Sequence, residues 1–373
     1  MFRFLHSSDL HLGKPFGRFD EETRVRLREA RHTRIDRLAQ IARDEGATHV
    51  LLAGDTFDAE TPPPRTVRQA MQAMASNHDI GWVMMPGNHD SLAATDLWSR
   101  LSSECPDNLM LTLSPEIVML QDEVALLPAP PTVRDPGRDL TGWMEGAATS
   151  DCLRIGLAHG GVQSFGDDAS ALDVIPPDRD RTAGLDYLAL GDWHGAMRIS
   201  DRCWYSGTPE GDNFKDQARP QCLVVSLPGR SSTPSVKRVE TGAFLWHSAR
   251  VDLRPEDDIE VQIGDSLPSR GRRDALVKIE IAGRLGLSER DRAEAFLAAC
   301  QDDFAHFEAD LDAVEIASEF VDLDAIDTSG ALRAAANRLL EKASDPRPEE
   351  AERAQVSKLA LARLYRFAKE IEA

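Results

Sequence analysis

Five segments of this chain end an apolar run in aspartate, asparagine or histidine: Asp9-Leu10-His11, Gly54-Asp55-Thr56-Phe57-Asp58, Gly87-Asn88-His89-Asp90, Ala158-His159-Gly160 and Gly191-Asp192-Trp193-His194. This recurrence constrains the fold more than any other feature. Short continuous apolar runs read as strands of a largely buried sheet, and helical stretches between them point to α/β architecture. The expected strands are residues 2–6, 49–53, 82–85, 117–120, 124–127, 153–158, 187–190 and 223–226, with helices over 21–45 and 64–77. The polar segments then lie in loops just beyond strand ends, where such sheets collect ligands because the loops vary while the sheet holds them rigid.

Each segment offers donors for a divalent cation. Asp9 and His11, two apart, are expected on the same side of an extended stretch, where both can chelate one ion. Asp55 follows the permissive Gly54 and has two oxygens with which to bridge two ions. Asn88 offers a neutral carbonyl oxygen, His89 an imidazole free for acid or charge-stabilising work, and Asp90 a carboxylate to fix its tautomer. His159 and His194 end two further runs. Together these are the oxygen and imidazole ligands that two adjacent divalent ions need, so phosphoester hydrolysis is the expected chemistry. Six of the ten histidines (His6, His32, His49, His78, His247, His306) fit no motif and are read as structural or surface residues, with His6 nearest the first motif.

The order DxH, GDxxD, GNHD, AHG, GDxH resembles the calcineurin-like metallophosphoesterases, which carry GHxH in the last position. Within that family, residues 8–13 (SDLHLG), 52–58 (LAGDTFD), 187–194 (YLALGDWH) and 205–209 (YSGTP) are similar to the SbcD-type DNA repair nucleases. The motifs cover about 1–225, and over 243–318 the likeness is architectural only. The resemblance implies an α/β fold: a metallophosphoesterase-type β-sandwich flanked by helices, with a small α+β capping domain and C-terminal helices. The corresponding divisions are a catalytic domain over 1–242, a capping domain over 243–320 and a partner-binding helical segment over 321–373. It also implies that Asp9, His11 and His194 hold a first metal, that Asp55 bridges, and that Asn88, His159 and Asp192 hold a second. His89, with Asp90, would stand near the leaving group. Asp192 departs from the family, which usually has histidine there. A carboxylate adds negative charge and hard-oxygen character, so Mn²⁺ is expected first and Mg²⁺ second. Asp58 lies where related nucleases vary, and its role stays open.

The net charge of −20 favours solubility and opposes indiscriminate binding to polyanions, although bound cations would supply positive charge where a phosphate sits. One stretch breaks the trend. Lys14, Arg18 and seven further arginines fall between Lys14 and Arg43, either as a solvated helix face or as contacts to a phosphate backbone through Lys14 and Arg18. The five scattered cysteines read as free thiols of a reducing compartment. No apolar run approaches the roughly 18 residues of a membrane span, and cleavage of a signal peptide would remove the first motif. The expected location is the cytoplasm, with no membrane partner.

The leading functional reading is a DNA exo- or endonuclease acting in repair. The resemblance implies an SbcC-like coiled-coil ATPase as partner, held by the C-terminal helices, and pairing of two copies. The alternative is a small-molecule phosphodiesterase or phosphatase of the same superfamily, which the acidity favours. A third is a scaffold protein whose metal site Asp192 impairs.

Overall fold

In the computed structural model of the chain, the described residues are all but 150, 164–173, 216–217, 255, 317–325, 327–329, 345–346, 348–349 and 373. Met1–Phe244 and Leu245–Ala373 form two compact units. The first unit contains, in chain order, β1 (Phe2–Ser7), α1 (Glu21–Glu45), β2 (His49–Ala53), α2 (Pro64–Ser76), β3 (Gly81–Met85), α3 (Thr95–Ser103), β4 (Leu109–Leu111), β5 (Val118–Gln121) and β6 (Val124–Ala129). It continues with β7 (Leu153–His159), α4 (Arg179–Thr182), β8 (Tyr187–Gly191), β9 (Met197–Arg198), β10 (Cys203–Tyr205), β11 (Gln221–Leu227) and β12 (Ser235–Glu240).

These strands form two six-stranded sheets, ordered β12-β11-β1-β2-β3-β4 and β5-β6-β7-β8-β10-β9. Strands β1 to β4 run parallel, as do β6, β7, β8 and β10. Successive residues turn to opposite faces, and both faces are buried. Phe4, Leu51, Val83, Leu126, Leu157 and Tyr187 fill the layer between the sheets. Their neighbours Leu5, Leu52 and Met84 pack with Leu38, Met71 and Trp98 of the helices on the outer face of the first sheet. Leu127, Ala158 and Leu188 join Met144, Leu185 and Tyr205 outside the second. Burial on both faces explains why the runs carry no polar alternation.

Helix α1 starts where the Asp20 side chain accepts the Thr23 N–H at 2.9 Å, and ends at Gly46 in the left-handed region, φ 66°. Both signals are local, which is why its limits were predictable. The sequence does not announce α3, α4, β4, β9, β10 or β12. Each is short or, like the largely exposed edge strand β12, lacks an apolar run.

The second unit holds β13 (Leu245–Leu253), α5 (Ile259–Ser266), β14 (Ala275–Leu285), α6 (Leu287–Cys300), β15 (His306–Ile316), α7 (Ala331–Ala343) and α8 (Ala351–Glu372). Its strands are all parallel in the order β13-β14-β15, with α5 and α6 as the crossovers. Val251, Ile263, Ile279, Leu297 and Val314 form its core. Leu287, Ala336, Leu361 and Tyr365 form a second cluster that joins α6, α7 and α8. The expected division at 320/321 lies outside the described residues.

Candidate metal centre

All five motifs meet at the C-terminal ends of parallel strands: β1, β2 and β3 from one sheet, β7 and β8 from the other. The sheet ends approach so closely that only glycine fits at the crossing points. A Cβ on Gly87 would lie 2.0 Å from Asp55 Oδ1, and one on Gly191 would lie 2.0 Å from the Ala53 carbonyl oxygen across the sandwich. Four non-glycine residues of the motifs hold left-handed backbone: Asp9 (φ 55°), His11 (44°), Asp55 (53°) and Asp192 (99°). Such conformations cost energy and persist where the surroundings over-determine them, typically at functional sites. They correct one expectation. Asp9 and His11 do not share the side of an extended stretch; β1 ends at Ser7, and the loop brings both inward by turning through the left-handed region. That loop is zipped to the next one, with Asp9 N–H donating to Gly54 O at 3.1 Å and His11 N–H to Asp55 O at 3.0 Å.

Among the described residues, three groups of donors lie with their ligand atoms within 4.8 Å of one another: Asp9, His11 and His194; Asp9, Asp55 and His159; and His11, Asp58 and His89. His11 Nε2 and His194 Nε2 face each other at 3.1 Å. Asp55 splits its oxygens, Oδ1 lying 3.6 Å from His159 Nε2 and Oδ2 3.7 Å from His11 Nε2. Asp192 Oδ1 lies 3.8 Å from His159 Nε2 and accepts from Asn88 Nδ2 at 3.2 Å. A common rule orients the imidazoles. His159 Nδ1 donates to Ala53 O at 2.8 Å and His89 Nδ1 to Asp58 O at 2.9 Å, and a carbonyl only accepts, so each proton sits on Nδ1. His11 Nδ1 faces Asp58 Oδ1 at 3.3 Å. The Nε2 of His159 is thereby left without a hydrogen-bond partner among the carboxylates, while that of His11 faces His194, the arrangement in which a histidine ligates with its other nitrogen held.

The chemistry of this donor set fits cations. Among the described residues, His159 Nε2 and Asn88 Oδ1 are buried without a hydrogen-bond partner, two orphaned polar atoms set among carboxylates. Such atoms are costly unless something binds them. The electrostatics agree. Burial opposes a charge on His159, yet Asp55, Asp9 and Asp192 outweigh it and raise its pKa to about 9. Burial and the Asp9 and Asp55 charges push the Asp192 carboxyl up, against the pull of His159. The protein alone recruits protons to neutralise a site overfull of negative charge.

A model of the calcineurin-like phosphoesterase family matches residues 2–224. The chain belongs to that family. It is similar to the DNA double-strand break repair protein Mre11 of Methanosarcina mazei, 24% identical over 262 residues, which is 67% of this chain and 40% of that protein. To the SbcD component of the SbcCD nuclease of Bacillus subtilis it is 35% identical over 105 residues, 27% of this chain and 25% of that component. A second Mre11, from Aeropyrum pernix, is 25% identical over 303 residues, 75% of this chain and 69% of that protein. The chain thus spans less than half of the first two relatives.

Within this phosphoesterase site, two sequence-based roles change. Asp90 does not touch the His89 imidazole: its oxygens accept the backbone N–H groups of Gly87 (2.6 Å) and Phe57 (2.9 Å), so it pins the loops rather than the tautomer. Burial and the nearby Asp55 push its pKa up to about 7. Asp58 takes over instead, orienting His89 through its carbonyl and His11 through its carboxylate. The basic stretch is largely spent on internal anchoring. Lys14 pairs with buried Asp212 at 2.8 Å, Arg31 is 1% exposed, Arg43 pairs with Asp79, and Arg18 lies over the rings of Phe19 and Phe214. His6 is structural, bridging the sheets from Tyr187 Oη at 3.0 Å to Leu190 O at 3.1 Å. Trp193, between Asp192 and His194, is 56% exposed beside this buried to half-buried centre.

Proposed function

We propose that this chain is a DNA nuclease that hydrolyses phosphodiester bonds with two divalent metal ions, Mn²⁺ before Mg²⁺, and that it acts in DNA repair. The clustering of imidazoles with shared carboxylates, around an unpartnered imidazole nitrogen and an unpartnered amide oxygen, carries the phosphoesterase part of this reading. The similarity to Mre11 and to the SbcD component of the SbcCD nuclease supports DNA as the substrate. Asp9, His11 and His194 would hold one ion and Asn88, His159 and Asp192 the other, with Asp55 between. Such a pair, when bound, supplies Lewis acidity to a phosphate and acidifies water. The chain supplies the rest. Asp55 and Asp192 set the charge of the pocket, Asp58 fixes His11 and His89, and His89 as the imidazolium keeps Nδ1–H on the Asp58 carbonyl and would donate Nε2–H to the departing oxygen. Exposed Trp193 offers a face on which a base can stack.

Residues 1–242 serve in this reading as the catalytic domain, 243–320 as a cap and 321–373 as the partner-binding segment, with the protein cytoplasmic and paired with a second copy. Helix α8 supports the partner assignment. Leu361 and Tyr365 are buried on one face, while Val356 (62%), Leu359 (40%) and Phe367 (59%) stand exposed on another. An apolar stripe of this kind suits a helix of an SbcC-like coiled-coil ATPase. Among the described residues no helix is long and apolar enough to cross a membrane.

The net charge of −20 favours the second reading, a phosphodiesterase for small molecules. Purified protein with Mn²⁺, assayed on double- and single-stranded DNA ends and on bis-p-nitrophenyl phosphate, separates the two. Cleavage of DNA supports the nuclease; hydrolysis of the ester alone, even beside the ATPase, overturns it in favour of the small-molecule enzyme.

A further inference from the structure

Outside the motifs, Arg31 and Asp212 form a buried charge cluster. Arg31, in the middle of α1, is 1% exposed and reaches two separate loops. One guanidinium nitrogen donates to the Leu10 carbonyl at 2.6 Å, the residue between Asp9 and His11. The other donates to the carbonyls of Glu210 at 3.2 Å and Gly211 at 3.4 Å, and lies 3.3 Å from Asp212 Oδ2. The Asp212 side chain, also 1% exposed, sets Oδ1 3.7 Å from His194 Nδ1, at ion-pair distance, and Oδ2 2.8 Å from Lys14 Nζ. A single fork of donors therefore holds the main chain that carries Asp9 and His11, while its carboxylate partner faces the back of His194. Those three residues are one of the candidate cation clusters.

Stability alone is a poor reason for this arrangement. Burying two charges costs about as much as their attraction returns, and well-packed apolar residues often do as well. Among the described residues Arg31 Nε finds no partner, so even the pairing is incomplete. What the pair gives that an apolar pair cannot is directional: planar donors in fixed positions on two loops. We propose that Arg31 and Asp212 are positioning residues for one half of the metal centre, setting Asp9 and His11 from one side and His194 from the other. The proposal rests on the dinuclear reading above.

The test is a titration of the metal-free, full-length protein with Mn²⁺, following stoichiometry by calorimetry and electron paramagnetic resonance, with circular dichroism as the fold check. The wild type is expected to bind two ions. Asp212→Asn keeps the shape and is expected to bind one as before and the other about 10–100-fold more weakly, the usual cost of losing a residue that orients a ligand. Arg31→Lys keeps the charge without the fork, is the milder change should Asp212→Asn not fold, and should give the same split. Asn88→Ala, on the opposite half, should retain one ion, and combining it with Asp212→Asn should leave none tightly held. Two ions at wild-type affinity in both Asp212→Asn and Arg31→Lys overturn this proposal and leave the dinuclear reading intact. Equal loss of both ions, or of the fold in both variants, assigns the pair to stability and also overturns it. A wild type that binds no Mn²⁺ overturns the dinuclear reading itself.

Discussion

His89 and Asp192 carry the sharpest consequences at the scale of single residues. His89 has its Nδ1 committed to the Asp58 carbonyl, so its work falls to Nε2. His89→Ala is therefore expected to keep both metals, by elemental analysis, while kcat falls about 100-fold or more, the range for a lost general acid; near-normal turnover removes it from the chemistry. Asp192 stands where the family usually has histidine, and its carboxylate crowds Asp9 and Asp55. Asp192→His is expected to change Mn²⁺-dependent turnover by less than about tenfold if the native centre is competent. A much larger gain would mean that the natural residue impairs it. The meeting of these candidate donors was legible in the sequence because metal chemistry admits few donor types and strand ends are where they gather. Arg31 and Asp212 were not, because 180 residues separate Arg31 from the Gly211 carbonyl it holds and no motif marks either end. The Asp90 role was misread for a related reason: adjacency along the chain indicated a partner, whereas the turn aims its carboxylate at backbone amides.

Among the elements, β1 and α8 make separate predictions. His6 sits wholly buried on β1 between the two sheets, and burial lowers its pKa from 6.5 to about 3. The folded form holds this imidazole neutral, so its contribution is complete above about pH 6.5 and is lost as pH falls toward 3, because the unfolded chain takes up a proton that the fold refuses. Between about pH 6.5 and pH 5 this amounts to roughly 2 kcal/mol, and His6→Gln should flatten that part of a Tm-against-pH curve. An unchanged acid limb would show that other groups govern it. On α8, Phe367→Glu should abolish co-purification with a coiled-coil ATPase while leaving Mn²⁺-dependent ester hydrolysis and α8 helicity intact. Retained association would place the partner elsewhere. Strands such as β2 could be bounded from the sequence because both their faces are buried, so apolar character begins and ends with the strand. Edge strand β12 and the two-residue β9 answer to neighbours distant in sequence and leave no such trace.

At the scale of the whole molecule, the candidate metal centre and the sandwich are one structure, since its donor groups come from both sheets. Chelation with EDTA should lower Tm by several degrees, and re-addition of Mn²⁺ at about 100 times its dissociation constant should restore roughly 2.7 kcal/mol per site. A melting curve indifferent to chelator would show that cations do not brace the fold. Because His159 holds its proton up to about pH 9 when no cation is near, loading at neutral pH should also release protons, seen as a buffer-dependent calorimetric heat.

The contact between Gly191 and the Ala53 carbonyl has a further reach. It is a hinge pin without thickness: one added methyl at position 191 would act as a wedge, prising the mouth of the sandwich apart where donors from opposite sides must agree to within fractions of an ångström. A lineage carrying this centre can redecorate its rim freely, yet it has almost no room to grow at the seam.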